Sequence, residues 1–191
     1  RANGVYCLQN GKVKISKSGF EGREQIVRFI TPGELFGIRS IIGAHTYSVN
    51  AIALEDSTIC FIGYSVFSDL MQKYPAISSR LIKVFCNRLW DAEDKITSLA
   101  QKPVRERLAE SLLYLIERFN NEPSSKNIDV NPSQHTINLS REDLANIVGS
   151  ATENVIRLLT EFKNEKLIDV NGRKIILLDV NGLRKTANID Y

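Results

Sequence analysis

Glu153 and Arg157 stand four residues apart in the stretch Thr152–Lys166, where Val155, Leu158, Leu159 and Phe162 recur at helical spacing. Residues four apart share one side of a helix. That side therefore carries a carboxylate and a guanidinium, with Thr152 and Ile156 beside them and the apolar residues opposite. An arginine fork can bond both acceptors on a guanine edge, and a glutamate can accept from the exocyclic amine of cytosine. The same spacing also suits an ordinary surface ion pair. Ser140, Arg141 and Ser150 lie at or near helix starts, and Arg173 and Lys174 follow the dipeptide Asn171-Gly172. Helix N-termini and cations at a hairpin tip suit phosphate oxygens.

Positioning such a face takes a particular set of elements. Ser140-Arg141-Glu142-Asp143 resembles a capping box, with Asp143 in the place usually held by Glu or Gln. Leu144, Ile147 and Val148 then form an apolar stripe, and Gly149 stands where a left-handed residue would end the helix. Two helices crossing through a short turn need a small residue at their contact, which Ala145 supplies, and an apolar lock early in the second helix, which Val155 supplies. Leu167–Val170 and Arg173–Leu178 flank Asn171-Gly172, a strong hairpin signal. Helix, turn, helix and hairpin make a winged helix-turn-helix. In that arrangement the second helix enters the major groove of double-stranded DNA with its N-terminal residues at the base edges.

The preceding chain divides in two. Residues 1–63 read as β, with short runs at Val5–Leu8, Lys12–Lys17, Gln25–Ile30, Tyr47–Leu54 and Thr58–Ile62. Asn10-Gly11, Ser18-Gly19, Pro32-Gly33 and Glu55-Asp56 separate them, a pattern expected of a sandwich, barrel or roll. Ser65 is placed to cap a short helix ending at Tyr74-Pro75. A long helix is predicted over Ala76–Ala100, with Ile82, Phe85, Leu89, Ala92, Ile96 and Leu99 at heptad spacing. Ile77, Leu81 and Val84 make a second apolar side that can face the β region, so the heptad seam is expected to join two copies. Pro103 opens another helix, Val104–Phe119, with Leu108, Leu112, Leu115, Ile116 and Phe119 on one face. Asn120–Gln134 reads as a loop with a short strand near Ile128. The expected class is α+β: an effector domain over residues 1–74, a dimerisation helix over 75–102 and a DNA-binding domain over 103–191.

Composition narrows the function. With 43% apolar and 25% charged residues in 191, the chain matches an ordinary globular protein. No apolar run reaches the roughly 18 residues that span a bilayer, so no membrane partner is expected. No signal peptide is visible. The abrupt opening on a strand suggests that a further segment precedes Arg1. Cys7, Cys60 and Cys86 are far apart and odd in number, which argues for a reducing cytoplasm rather than a disulfide framework. No cysteine or histidine cluster points to a metal. His45 and His135 lie in loop-like stretches without a nucleophile nearby, so no catalytic constellation and no enzyme is expected. Residues 103–191 carry 12 Lys and Arg against 13 Asp and Glu, so binding to DNA would rest on a few placed cations.

From Leu139 to Leu159 the residues LSREDLANIVGSATENVIRLL resemble the cyclic-AMP receptor protein and fumarate–nitrate regulator (Crp/Fnr) family of bacterial transcription factors. The resemblance extends over nearly the whole chain and implies a β-roll like a cyclic-nucleotide-binding jelly roll, a dimer helix and a winged helix. It places Glu153 and Arg157 at the family's base-reading positions, implying a TGA-like half-site core. Thr152 replaces an arginine of the cyclic-AMP receptor, so outer half-site preference should differ.

Gly33, Glu34, Leu35, Phe36 and Gly37 resemble the family's loop into the effector pocket. Against the cyclic-AMP receptor, Ile38 replaces the ribose-gripping glutamate, Tyr47-Ser48 the phosphate-binding Arg-Ser, and Ala92-Glu93 the adenine-contacting Thr-Ser. Loss of that arginine removes the cation opposite a cyclic phosphate. Cyclic AMP is therefore disfavoured in that mode, and no cofactor is expected. Arg39 stands where the carbon-monoxide-sensing member has a haem-ligating histidine, and His45 reads as a loop residue. Cys60 corresponds to one cluster cysteine of the oxygen-sensing members, but its expected role is a buried strand cysteine without a cluster.

The resulting expectation is a homodimer on a near-palindromic site, with recognition helices about 34 Å apart and RNA polymerase as a partner if it activates. An effector in the β-roll would shift the dimer helix and the hinge at Gln101–Pro103. The rival expectation is a ligand-binding regulatory module that controls a partner protein.

Overall fold

The computed structural model describes residues 2–43, 45–120 and 135–189. The expected strand near Ile128 and the loop around it lie outside these residues. Two compact units divide the chain, Arg1–Ile96 and Thr97–Tyr191, with the boundary inside the long helix.

The first unit contains β1 (Gly4–Asn10), β2 (Val13–Ser18), β3 (Glu24–Ile30), β4 (Leu35–Phe36), α1 (Ile38–Ile42), β5 (Asn50–Ala53), β6 (Thr58–Gly63), α2 (Tyr64–Lys73) and α3 (Pro75–Gln101) as far as Ile96, the last turn of α3 belonging to the second unit. Its strands form two antiparallel three-stranded sheets, ordered β4-β1-β6 and β3-β2-β5. Leu8, Val13, Ile15, Ile30 and Phe36 form one buried cluster of this unit. Alternation is interrupted where Ile15 pairs with Arg28 but Ser16 pairs with Ile26, so Val27 is the extra residue of a bulge. It turns outward, half exposed, while Ile15 and Ser16 are both buried.

A second cluster joins Val5, Ile38, Ile41, Phe67 and Leu81, with Ile77 and Phe85 of α3 packed against it. This corrects one member of the expected dimer seam. Phe85 follows Ile77 and Leu81 at intervals of four and so shares their stripe, which faces the β unit. Ile82, Leu89 and Ile96 remain 62%, 61% and 66% exposed, and Ala92 is exposed beside them, whereas Leu99 is half-buried. A second correction concerns α2: Gly63 holds the capping position without a side-chain bond, and Ser65 is the second helical residue. Cys60, expected to be buried, is exposed. Strand β6 lies at the edge of its sheet, and its residues Thr58–Phe61 are all exposed.

The second unit contains α4 (Val104–Asn120), β7 (Thr136–Asn138), α5 (Arg141–Val148), α6 (Thr152–Asn164), β8 (Ile168–Asn171), β9 (Lys174–Leu177) and α7 (Val180–Thr186). Its core includes Leu108, Leu112, Ile137, Leu144, Val155, Phe162, Ile175 and Leu183, all fully buried. The sheet runs β7-β9-β8. Strand β7 and helix α7 were not expected. Three residues are too few to display alternation, and Asn181-Gly182 carries the signature of a turn. Here Asp179 caps α7 by accepting from the Gly182 N–H at 2.8 Å. A Cβ on Gly182 would press on the ends of the Asp179 and Leu167 side chains, which would have to shift to admit it.

Candidate nucleic-acid interface

The local signals of the helix pair have direct counterparts. Ser140 is the N-cap of α5: its Oγ accepts from the Asp143 N–H at 3.0 Å, and its hydroxyl donates to the Asp143 carboxylate at 2.6 Å. Gly149 closes α5 at φ 69° and ψ 52°, a left-handed conformation that costs a residue with a Cβ about 1–2 kcal/mol. Its N–H and that of Ser150 both bond the Ala145 carbonyl, at 2.8 and 3.2 Å. Helix α6 then starts at Thr152 behind Ala151, which offers no side-chain cap. The first amides of α6 thus lack a side-chain acceptor from the capping position.

Helix α6 has two unlike sides. Val155, Leu158, Leu159 and Phe162 are buried, while Glu153, Asn154, Ile156, Arg157 and Thr160 are exposed. Of the four expected base-reading residues, Thr152 alone is half-buried. The surface ion pair that the spacing of Glu153 and Arg157 also allowed is absent among the described residues. Arg157 Nη1 instead bonds Glu161 Oε1 at 2.5 Å, one turn toward the C-terminus. Glu161 is shared: its other oxygen accepts from Arg105 of α4 at 3.1 Å. Arg105 Nη2 also donates to the two oxygens of Glu165, at 2.7 and 2.6 Å, and its guanidinium lies 4.8 Å from the centre of the Phe162 ring.

The wing is the β8–β9 hairpin. Arg173 and Lys174 at its tip are exposed and have no hydrogen-bond or ion-pair partner among the described residues. Arg141 is half-buried and donates to the Gly172 carbonyl at 2.7 Å, so this expected phosphate contact ties the start of α5 to the wing. Burial pulls the Arg141 guanidinium down from its ordinary value, and its Nη1 has no hydrogen-bond partner among the described residues. Lys163 bonds Asp169 at 2.8 Å and the Val170 carbonyl at 3.2 Å, fixing the end of α6 to β8. Asn154 Nδ2 reaches Ser150 Oγ at 3.3 Å, which orients the expected Ser150 hydroxyl.

One residue of this region escaped the sequence reading. Arg107 donates to the Val148 and Gly149 carbonyls at the end of α5, at 2.9 and 3.3 Å. It also donates to the Leu99 and Lys102 carbonyls at the end of α3, at 3.3 and 2.7 Å. The last carbonyls of a helix have no partners within it and carry partial negative charge, so one cation serves two helix ends. Nothing in the local sequence marks it, since its targets lie 5 to 42 positions away.

The expected effector residues of the first unit fall into two groups. Phe36 and Ile38 are buried and Leu35 is half-buried against the second cluster, so these three serve the core. Gly33 and Gly37 take positive φ in the surrounding loop. Glu34 turns its carboxylate back onto Thr31, accepting from its N–H at 2.8 Å and its hydroxyl at 3.1 Å. The Tyr47 hydroxyl donates to the Gly4 carbonyl at 2.7 Å, and its ring is tilted against Tyr6 at 6.0 Å. Arg39 Nη2 donates to Ser48 Oγ at 3.1 Å, placing a cation at that serine. Ala92 and Glu93 on α3 are exposed, one turn beyond Arg88, which donates to the Leu35 carbonyl at 3.0 Å.

Comparison with known proteins agrees with both units. Residues 1–74 match the cyclic nucleotide-binding domain, and residues 106–186 match the Crp-like helix-turn-helix domain. The fumarate and nitrate reduction regulatory protein of Vibrio cholerae is 30% identical over 185 residues, 97% of this chain and 71% of that protein. The chain belongs to the Crp/Fnr family of transcription regulators. The transcriptional activator protein Anr of Pseudomonas protegens is also 30% identical, over 92% of this chain and 69% of that protein. Among solved structures, FixK2 from Bradyrhizobium japonicum superposes with a TM-score of 0.81 at 25% identity, covering 100% of this chain and 90% of that one.

As a Crp/Fnr protein the chain is a DNA-binding transcription regulator built from a β-roll, a long helix and a helix-turn-helix domain. No helix among the described residues is long and apolar enough to cross a membrane. The exposed side of α6 and the wing tip belong to the domain that matches the helix-turn-helix family, which makes them its candidate DNA surface.

Proposed function

We propose that this regulator binds a near-palindromic DNA site as a homodimer, reading bases with Glu153, Ile156 and Arg157 and touching phosphates with Arg173 and Lys174. The observation that carries the reading is the division of α6. One side is core, and the opposite side presents an acceptor, an apolar residue and a guanidinium in consecutive positions of one exposed strip. Thr152 adds a hydroxyl at the start of that strip. Ile82, Leu89, Ala92 and Ile96 make the dimer surface, an exposed apolar row along α3. Dimerisation along it would set the two recognition helices about one DNA turn apart, roughly 34 Å. RNA polymerase is the partner if the bound protein activates.

Cyclic AMP does not bind in the receptor's mode in this reading. Ile38 has no carboxylate for a ribose and lies in the core, and the Tyr47 hydroxyl is spent on Gly4. Arg39 supplies a cation at Ser48 from a different chain position, which suits an anionic effector of another shape. Micromolar binding of cyclic AMP in calorimetry would refute this part.

Selection of bound sequences from a random DNA pool tests the main proposal. The expected product has two inverted half-sites with a conserved inner core. Arg157→Ala is expected to cost about 1–3 kcal/mol on that site and to relax preference at one base pair, whereas Arg173→Ala weakens binding to all sequences alike. Log affinity should fall steeply with log salt concentration. A flat salt response would favour a module acting on a protein partner.

A further inference from the structure

We infer that Arg105, in the first turn of α4, sets how sharply Arg157 discriminates between bases, because it holds the carboxylate that otherwise binds Arg157. The inference rests on the reading of Arg157 as a base-contacting residue.

Glu161 divides its two oxygens between two cations, Oε1 to Arg157 at 2.5 Å and Oε2 to Arg105 at 3.1 Å. The two cations are held very differently. Arg105 has two further bonds to Glu165, at 2.7 and 2.6 Å, and its guanidinium lies over the buried Phe162 ring. Its side chain is 34% exposed. Arg157 is 64% exposed, and Glu161 is its single ion-pair partner among the described residues. Of the two, Arg157 is the one able to leave.

Reading guanine requires it to leave. Both donors of the arginine fork must point at the base edge, so the bond to Glu161 competes with recognition. The same bond also raises the cost of departure in a second way. A carboxylate abandoned beside a phosphate backbone meets like charge with no cation of its own. Arg105 removes that cost by staying on Glu161 when Arg157 turns away. Without Arg105, Glu161 has only Arg157, and each recognition event strips the carboxylate bare. Arg105 touches no base in this scheme; it is a positioning residue acting through Glu161.

Binding constants for a cognate duplex, and for one substituted at the base pair where Arg157→Ala relaxes preference, give a discrimination ratio. In the full chain Arg105→Ala should lower that ratio about two- to fivefold, the range of one exposed ion pair. Adding Glu161→Gln to Arg105→Ala should restore it, because the competing charge is gone. Arg105→Gln, which keeps part of the aliphatic stem and a polar end but lacks the charge, should behave like Arg105→Ala and guards against a folding defect. A role limited to holding α4 against α6 would weaken cognate and substituted duplexes alike, and Glu161→Gln would not rescue it. An unchanged ratio in Arg105→Ala and Arg105→Gln, or failure of Glu161→Gln to restore it, overturns the inference while leaving base reading intact. If Arg157→Ala itself alters preference at no base pair, base reading falls first and this inference with it.

Discussion

Replacing Arg107 with alanine removes a guanidinium that bonds four backbone carbonyls at two helix ends. The two shorter bonds, to Lys102 at 2.7 Å and Val148 at 2.9 Å, carry most of the energy. A bond from a charged donor contributes about 1.5–3 kcal/mol net. The contacts to Leu99 and Gly149, both at 3.3 Å, are long, and Gly149 is exposed enough for water to replace its bond. Water will also enter part of the space vacated by the side chain. The net loss is therefore about 2–4 kcal/mol rather than the sum of four full bonds. For a unit of this size each kcal/mol moves the midpoint by about 4–8 °C, so the C-terminal transition should fall by roughly 8–32 °C.

Calorimetry on the full chain is the suitable assay. Trp90, the single tryptophan, belongs to the first unit, so its fluorescence would miss the event. Arg107→Lys keeps a charge but only a point donor, and should recover about half of the loss. Arg184→Ala, an exposed arginine with no partner among the described residues, should shift nothing. If Arg107→Ala lowers the midpoint by no more than Arg184→Ala does, the carbonyl contacts hold nothing together and the reasoning fails.

The other expectations are narrower. Ser140→Ala deletes the N-cap of α5 and should cost about 1 kcal/mol by thermal or denaturant unfolding; no change would mean that Asp143 or water replaces it fully. Leu89→Glu places a charge in the exposed row of α3 and should halve the mass seen by sedimentation. It should also lower affinity for a two-half-site duplex by at least about a hundredfold through lost bivalency, whereas an unchanged mass would exclude this row as the seam. The Lys163 ammonium, the Val170 N–H and then the Lys163 charge hold the Asp169 carboxyl below its ordinary carboxylate value. A folded value below the unfolded one means the link is complete above about pH 4 and is lost as pH falls through the folded value. In an NMR titration Lys163→Ala should move Asp169 back up, and an unmoved Asp169 would show that Lys163 is not its partner.

The helix-turn-helix was legible because each of its requirements is met within a few positions of where it acts. Ser140 caps an amide three residues on, Gly149 relaxes its own backbone, and Val155 locks a helix that begins three residues before it. Strands β1, β2, β3 and β6 were likewise visible as short runs between turn signals. What was missed in the fold depended on context rather than on local pattern. Strand β7 is too short for alternation, and Asn181-Gly182 reads as a turn by propensity yet lies inside the helix that Asp179 caps.

The site shows the same division on a smaller scale. Which side of α6 faces outward follows from its apolar stripe, so Glu153 and Arg157 could be named from spacing alone. Which partner Arg157 chooses could not. Glu153 and Glu161 flank it symmetrically, each one turn away, and helical spacing treats them alike. Arg105 breaks that symmetry by drawing Glu161 into a network anchored on Glu165 and Phe162. Glu153 is thereby left exposed and without an ion pair among the described residues. The choice of Glu161 over Glu153 as the partner of Arg157 thus goes with an arginine 48 positions earlier in the chain than Glu153.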